Sequence, residues 1–428
     1  MKWIKPAFYL ALFFGFHAAA FAESPVKPGE KLDVARCVEI ALGAHPDIAA
    51  STGAAEAGKA KAQGAKSGYY PQIGLSAGYS QTDYSTTVSS TGRYQLSRNY
   101  SAGASATQTI FDFGKTSSQA DVQRYGADSA MADLENVRQQ IVFNVRQAYY
   151  GLAQAIRNVE LMRENVRQYE DHMRQARGFF DAGAKPKYEV TKAAVDLSSA
   201  RLNLMKAGNA LKIARLNLDN AMGITGAPEY SIVDGLAFTP IAITLEQALE
   251  KAAGSRPDLM AAAAMKNSAE QSLRYAESGH YPTLSGSASY DYYGEKPPLD
   301  SQWSAGVTFT LPLFSGFSTR YQVEEARANL TTLTAKESAL IRNIQLEVQK
   351  AYVNLKDAEE RIAVARESVQ LAVENQDLAN GRYAAGVGNS IEVSDAQAGY
   401  VNAKTAHNQA LADYKVAEAS LYKAIGER

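Results

Sequence analysis

Few residues in this chain could do chemistry, and their spacing assembles no reaction centre. Gly114-Lys115-Thr116 has the ending of a phosphate-cradling loop, but that loop needs a glycine where Thr109 stands. His45, His172, His280 and His407 are scattered, without the spacing of zinc ligands. The eight methionines do not cluster, Cys37 is the only cysteine, and no nucleophile elbow or metalloprotease motif occurs. The chain therefore reads as a non-enzyme without metal or cofactor. One acidic pair, Glu392 and Asp395, lies three residues apart in a helical pattern, so both carboxylates share a face. By itself such a pair reads as a solvated helix surface.

The elements that would carry these residues are unusually long. Residues 115–182 and 318–385 are dominated by good helix formers and contain no proline. Ile141, Val145, Ala148 and Leu152 recur at three- and four-residue steps, as do Ile344, Val348, Ala351 and Leu355. A helix of about 65 residues is about 100 Å long, more than a compact globule needs. Ala182-Gly183-Ala184-Lys185-Pro186 and Gly386-Val387-Gly388-Asn389 break the runs, and helices return over about 187–222 and 390–425. Each half thus forms a long helical hairpin, as in a coiled-coil bundle or a tunnel wall.

Between the helices the period changes to two. Ile73, Leu75, Ala77 and Tyr79 alternate with small polar residues, as do Trp303, Ala305, Val307, Phe309 and Leu311. Leu284, Ala288, Tyr290 and Tyr292 continue the pattern, and 101–110 follows it with alanines. Runs of about ten residues with one apolar face suit transmembrane strands, with Tyr70, Phe111, Tyr281 and Phe314 at one level and Tyr79, Tyr290, Tyr292 and Trp303 at the other. The pattern alone fits a half-buried soluble hairpin equally well. If the strands span a membrane, four cannot close a barrel, and open edges are not tolerated in lipid. Two chains would give a filled eight-stranded barrel, whereas three would give twelve strands and a lumen. The hairpin tips, near 85–97 and 294–300, would face outside.

The second half echoes the first. Shifted by 211 residues, Gly43, Pro46 and Asp47 meet Gly254, Pro257 and Asp258, and Tyr70-Pro71 meets Tyr281-Pro282. From Ser101 onward the shift is 203, pairing Val145, Tyr149 and Leu152 with Val348, Tyr352 and Leu355, and Gly183 and Glu189 with Gly386 and Glu392. The single change of shift falls in a Ser/Thr/Gly-rich loop tip, where length changes are tolerated. Residues 1–22 read as a secretory signal, with Lys2 and Lys5, an apolar run and Ala20-Phe21-Ala22 before the cut. The expected layout is a signal at 1–22, a first repeat at 23–222, a linker at 223–243 and a second repeat at 244–428. With 44 basic and 45 acidic residues, nothing favours nucleic acid. A lone cysteine allows no intrachain disulfide, so packing or assembly must supply stability.

These features together resemble the TolC-type outer-membrane efflux family over about residues 32–426. The resemblance rests on the duplication, on HPDI (45–48) with RPDL (256–259), and on YPQIGLSAGYS (70–80) with YPTLSGSASY (281–290). It rests also on TIFDFGKT (109–116) with PLFSGFST (312–319), and on RYAAGVGNSIEVSDA (382–396). It implies a mainly α homotrimer: four strands per chain in a twelve-stranded outer-membrane β-barrel set in lipid, and long helical hairpins forming a periplasmic tunnel. It implies a passive exit duct for efflux or type I secretion, opened by a periplasmic adaptor and powered by an inner-membrane transporter. Glu392 and Asp395 match acidic residues ringing the periplasmic gate, Tyr383 and Glu189 match residues that tie its helices together, and Gly183, Ala184, Gly386 and Val387 match adaptor-docking tips. Gly388 departs from the family, which carries a latching arginine there. A soluble periplasmic coiled-coil adaptor or scaffold is the second reading.

Overall fold

A computed structural model describes residues 26–84, 95–226 and 229–427. The expected signal at 1–22 and residues 85–94 of the first strand-hairpin tip lie outside the described residues. Two helices of 67 residues, α3 (Lys115–Asp181) and α7 (Ser318–Ala384), dominate the fold. Each turns back into a helix of 35 residues, α4 (Lys187–Ala221) and α8 (Ser390–Ala424). At 1.5 Å per residue, α3 and α7 are about 100 Å long. The apolar series read from sequence forms their buried seam, with Val145, Leu152, Val348 and Leu355 enclosed. Four shorter helices complete the fold: α1 (Val34–Ala44) and α5 (Leu245–Ser255), and α2 (Pro46–Ala65) and α6 (Pro257–Glu277), which run along the strand-proximal parts of α3 and α7. Helix α6 packs on both α3 and α7, which joins the two repeats.

Segment 223–243 is stitched down rather than slack. Its short strand Ser231–Ile232 pairs in parallel with Lys31–Leu32 near the chain start. The Tyr149 hydroxyl donates to the Val233 carbonyl at 2.6 Å, and the Tyr414 hydroxyl to the Thr239 carbonyl at 2.7 Å. These bonds hold the segment across α3 and α8.

The remaining strands, which we call βA (Gln72–Tyr84), βB (Gln95–Phe111), βC (Thr283–Gly294) and βD (Asp300–Thr310), form one antiparallel sheet in that order. βB has 17 residues where about ten were expected. Alternating Ala and Ser carry too little hydrophobic contrast to mark its ends. The register puts Ile73, Leu75, Ala106, Ala104, Ala288, Tyr290, Trp303, Val307 and Phe309 on one face. Ser76, Gly103, Ser105, Ser287, Ser289, Ser304 and Thr308 lie on the other. A bulge between Thr109 and Phe111 inserts Ile110 and returns Phe111 to the apolar face opposite Leu284. That face has no cover within the chain: Leu75 is 86% exposed, Trp303 73% and Val307 67%. βA and βD each keep one unpaired edge. No helix among the described residues is long and apolar enough to cross a membrane.

Each strand-to-helix turn uses two consecutive left-handed residues, Phe113 and Gly114 in the first repeat, Gly316 and Phe317 in the second. Here the phosphate-loop-like triplet finds its role. The Asp112 carboxylate accepts from Thr116 N at 2.8 Å and from Thr116 Oγ1 at 2.5 Å, so a side chain occupies the start of α3 as an anion would.

Candidate functional site at the hairpin tips

Both tips reverse through glycine. Gly183 and Gly386 have φ of +71° and +80°, and their amides bond back to Phe180 O and Tyr383 O at 2.9 and 3.0 Å. At the second tip Asn389 begins α8, its Oδ1 accepting from Ile391 N and Glu392 N at 2.9 and 3.0 Å. The next free amide, Ser390 N, is met from the other hairpin: buried Glu189 accepts from it at 3.0 Å. A carboxylate on a helix N-terminus is stabilised by the unsatisfied N–H groups and the helix dipole. Glu189 thus ties α4 to α8.

Tyr383 of α7 is fully buried. Its ring lies 4.8 Å from His172 and 5.6 Å from Phe179, and the Lys185 ammonium sits 5.3 Å from its centroid. Burial raises the hydroxyl's pKa, with Ser390 opposing and the Glu189 charge adding. The hydroxyl is enclosed beside Ser390 and Glu189.

Within one chain the four expected gate residues fall into two groups. Glu189 and Tyr383 share the buried node. Glu392 is half-buried and pairs with Arg382 at 3.1 Å within its own hairpin. Asp395 is exposed on the next turn of α8. Of the expected docking residues, Gly183, Ala184, Gly386 and Val387 are all exposed at the turns.

Sequence reasoning missed the seam that leads to the node. Asn158, Asn165 and His172 follow one another at seven-residue steps on α3 and meet α8 partners. Asn408 Nδ2 donates to Asn158 at 3.2 Å, Gln397 Nε2 to Asn165 at 2.7 Å, and His172 Nε2 lies 3.2 Å from Ser390 Oγ. Gln154 bonds Gln409, and Gln376 bonds Gln397. Nearby, Lys192 pairs with Asp196 at 2.6 Å, and Asp196 accepts from Ser394 Oγ. The two hairpins therefore meet through an amide-rich strip toward the tips, where elsewhere the seam is apolar. The heptad spacing was the available signal, but polar residues at that spacing also describe a solvated face.

Gly388 is where the structure departs from an arginine latch. The glycine is buried, and Lys185 Nζ donates to its carbonyl at 2.6 Å. Lys185 stands at the equivalent place in the first repeat, 203 residues earlier. A Cβ on Gly388 would lie 3.0 Å from Tyr383 N and 3.1 Å from Arg382 C, both backbone atoms with little room to move. Gly388→Arg is therefore expected to loosen the tip, by about 1–3 kcal/mol as overpacking does. Hydrogen exchange of the 387–393 amides should quicken by about tenfold for each 1.4 kcal/mol. Unchanged exchange would show that the turn absorbs the side chain.

The sequence profile of a family described as "Outer membrane efflux protein" matches residues 37–224 and 248–427. The chain belongs to this family. It is 24% identical to the outer membrane protein TolC of Escherichia coli over 404 residues, 89% of this chain and 80% of that one. It is 26% identical to protein CyaE of Bordetella pertussis over 424 residues, covering 94% of this chain and 86% of CyaE. The fold matches the crystal structure of the CmeC outer membrane channel of Campylobacter jejuni with a TM-score of 0.82 at 20% identity, over 92% and 85% of the chains. The efflux-family protein is an exit duct of the outer membrane, with helices reaching into the periplasm. The soluble-adaptor reading is set aside, because the family match spans both repeats and its members are outer-membrane proteins.

Proposed function

We propose that three copies of the chain join their sheets into one twelve-stranded barrel and their hairpins into a periplasmic tunnel closed at the tips. One observation carries this: the four-stranded sheet presents a bare apolar face and two unpaired edges. Lipid satisfies such a face, but only neighbouring strands satisfy the edges. The helices support the same assembly. α4 exposes Val195, Leu202, Met205, Ile213 and Leu216, and α7 exposes Leu346, Val353, Val364, Leu371 and Leu378. Seven-residue steps recur in the α7 stripe and one joins Val195 to Leu202 in α4, as in a coiled-coil seam awaiting a partner helix.

On this reading the amide strip and the Glu189–Ser390–Tyr383 node hold the hairpins of each protomer together in the closed duct. Lys185 supplies the positive charge that family resemblance would place at position 388. Glu392 and Asp395 line the constriction, where three copies would attract cations. A periplasmic adaptor grips the tips at Gly183, Ala184, Gly386 and Val387 and draws the hairpins apart, and an inner-membrane transporter supplies the energy. Cargo passes passively, as part of a tripartite efflux pump or a type I secretion system. The test is the mass of the protein extracted from outer membranes in detergent, together with its conductance in planar bilayers. A trimer that conducts supports the proposal; a stable monomer that forms no channel would overturn it.

A further inference from the structure

At the end of the amide strip, His172 of α3 is enclosed by the three other long helices. From α8, Ser390 Oγ lies 3.2 Å from its Nε2; from α7, the Tyr383 ring lies 4.8 Å away. From α4, the charges it feels are those of Asp196, Glu189 and Lys192. Lys185, in the turn, faces the Tyr383 ring, while Glu392 of α8 is engaged by Arg382. The imidazole is 6% exposed, so it joins the hairpins from within.

We propose that His172 is a proton-operated latch between the two hairpins: neutral, it keeps the tips docked, and protonated, it releases them. The proposal rests on the tips being the closure of the duct. A neutral imidazole has one donor and one acceptor nitrogen, and the Ser390 hydroxyl can serve either. An imidazolium has two donors and a charge to solvate in a buried site. Burial holds the His172 pKa below its ordinary value; Asp196 and Glu189 oppose that effect, and Lys192 reinforces it. Once the hairpins part, the ring meets water and its pKa returns to about 6.5. The docked state then binds the proton more weakly than the parted state. Docking from this residue is complete above about pH 6.5 and is lost as pH falls through the lower docked value. Each pKa unit of difference changes the docked-to-parted ratio about tenfold per protomer. Ordinary carboxylates titrate near pH 4, which leaves the window near pH 6 to histidine.

Spin labels on A184C and V387C in the reconstituted full-length protein would read the tip separation, with conductance recorded in parallel. Between about pH 7.5 and about pH 5.5 the wild-type tips should separate and conductance should rise, the parted-to-docked ratio increasing by up to about tenfold per protomer. His172→Gln keeps a side chain able to bond Ser390 but takes up no proton in this range, so it should lose the response. Ser390→Ala keeps the imidazole and deletes its partner, so the response should persist with its midpoint shifted upward. An equal acid response in His172→Gln, an unshifted midpoint in Ser390→Ala, or a pH-insensitive wild type would overturn the latch. Acid separation that His172→Gln abolishes, without any change in conductance, would uphold the latch and refute closure at the tips.

Discussion

Val307→Arg is expected to remove the protein from the outer membrane. Val307 lies midway between Trp303 and Leu311 on the face shared with Phe309, opposite Gly286, and two-thirds of its surface is open. If lipid covers that face, a guanidinium near the bilayer centre costs about 2–4 kcal/mol. A shared barrel carries the cost three times, which is comparable with the roughly 5–15 kcal/mol that stabilises a folded domain. The neighbouring position provides the control. Thr308 points to the other face, across from Ser285, so Thr308→Arg should insert normally and alter only conductance. The measurement is the fraction of each variant that fractionates with the outer membrane as a trimer. Normal insertion of Val307→Arg would mean that protein, not lipid, covers this face.

The same face shows which features the sequence carried openly. A period of two is a local signal, and so are the Gly-containing turns. Gly183 with Pro186, and Gly386 with Asn389, locate the ends of all four long helices to within a residue of their observed bounds. The duplication adds a second copy of each signal, and α3 and α7 have the same length, as do α4 and α8. The limits of βB were obscure because Ala and Ser differ little in burial preference. The tip node was obscure for another reason. His172 and Ser390 are 218 residues apart, as Glu189 and Ser390 are 201 apart, and nothing local pairs them. Asn158 and Asn165 read as a wet surface until α8 is laid against them. Gly388 could be read only as a missing arginine, whereas the structure shows a carbonyl serving Lys185 and no room for a side chain.

Arg256→Ala should be among the most destabilising single changes outside the sheet, and His45→Ala should not, although the two residues occupy equivalent places in the repeats. Arg256 precedes α6 and is nearly buried. Its Nε and Nη2 donate to Asp258 at 2.9 and 2.7 Å, and its Nη1 to Glu347 at 2.6 Å and to the Ala424 carbonyl at 3.0 Å. One side chain thus links α6, α7 and the end of α8. In the first repeat the corresponding residues are His45, Asn144 and Ala221. His45 Nδ1 accepts from Asp47 N, at 3.2 Å. Asn144 joins Gln147, Asn217 and Asn220 around an open cleft of about 830 Å³ in place of the ion cluster. What the repeats share is the backbone contact: a Cβ on Gly223 would lie 2.8 Å from His45 Cα, and one on Gly426 2.7 Å from Ser255 C. Truncating Arg256 leaves the Ala424 carbonyl without its donor and Glu347 with only the more distant Lys423, at 3.9 Å. Breaking a buried pair costs roughly 3–5 kcal/mol, and Glu347, at 40% side-chain exposure, places this case at the lower end. His45→Ala removes one bond to an exposed amide, about 0.5–1.5 kcal/mol. Thermal unfolding in detergent should therefore fall by several degrees for Arg256→Ala and little for His45→Ala. Equal losses would show that the glycine contacts, not the ion cluster, hold these junctions. The asymmetry also bears on opening. α8 is clamped at Ala424 by Arg256 and bonded at Ser390 by groups that can let go, so a parting of the tips would pivot on the Arg256 end.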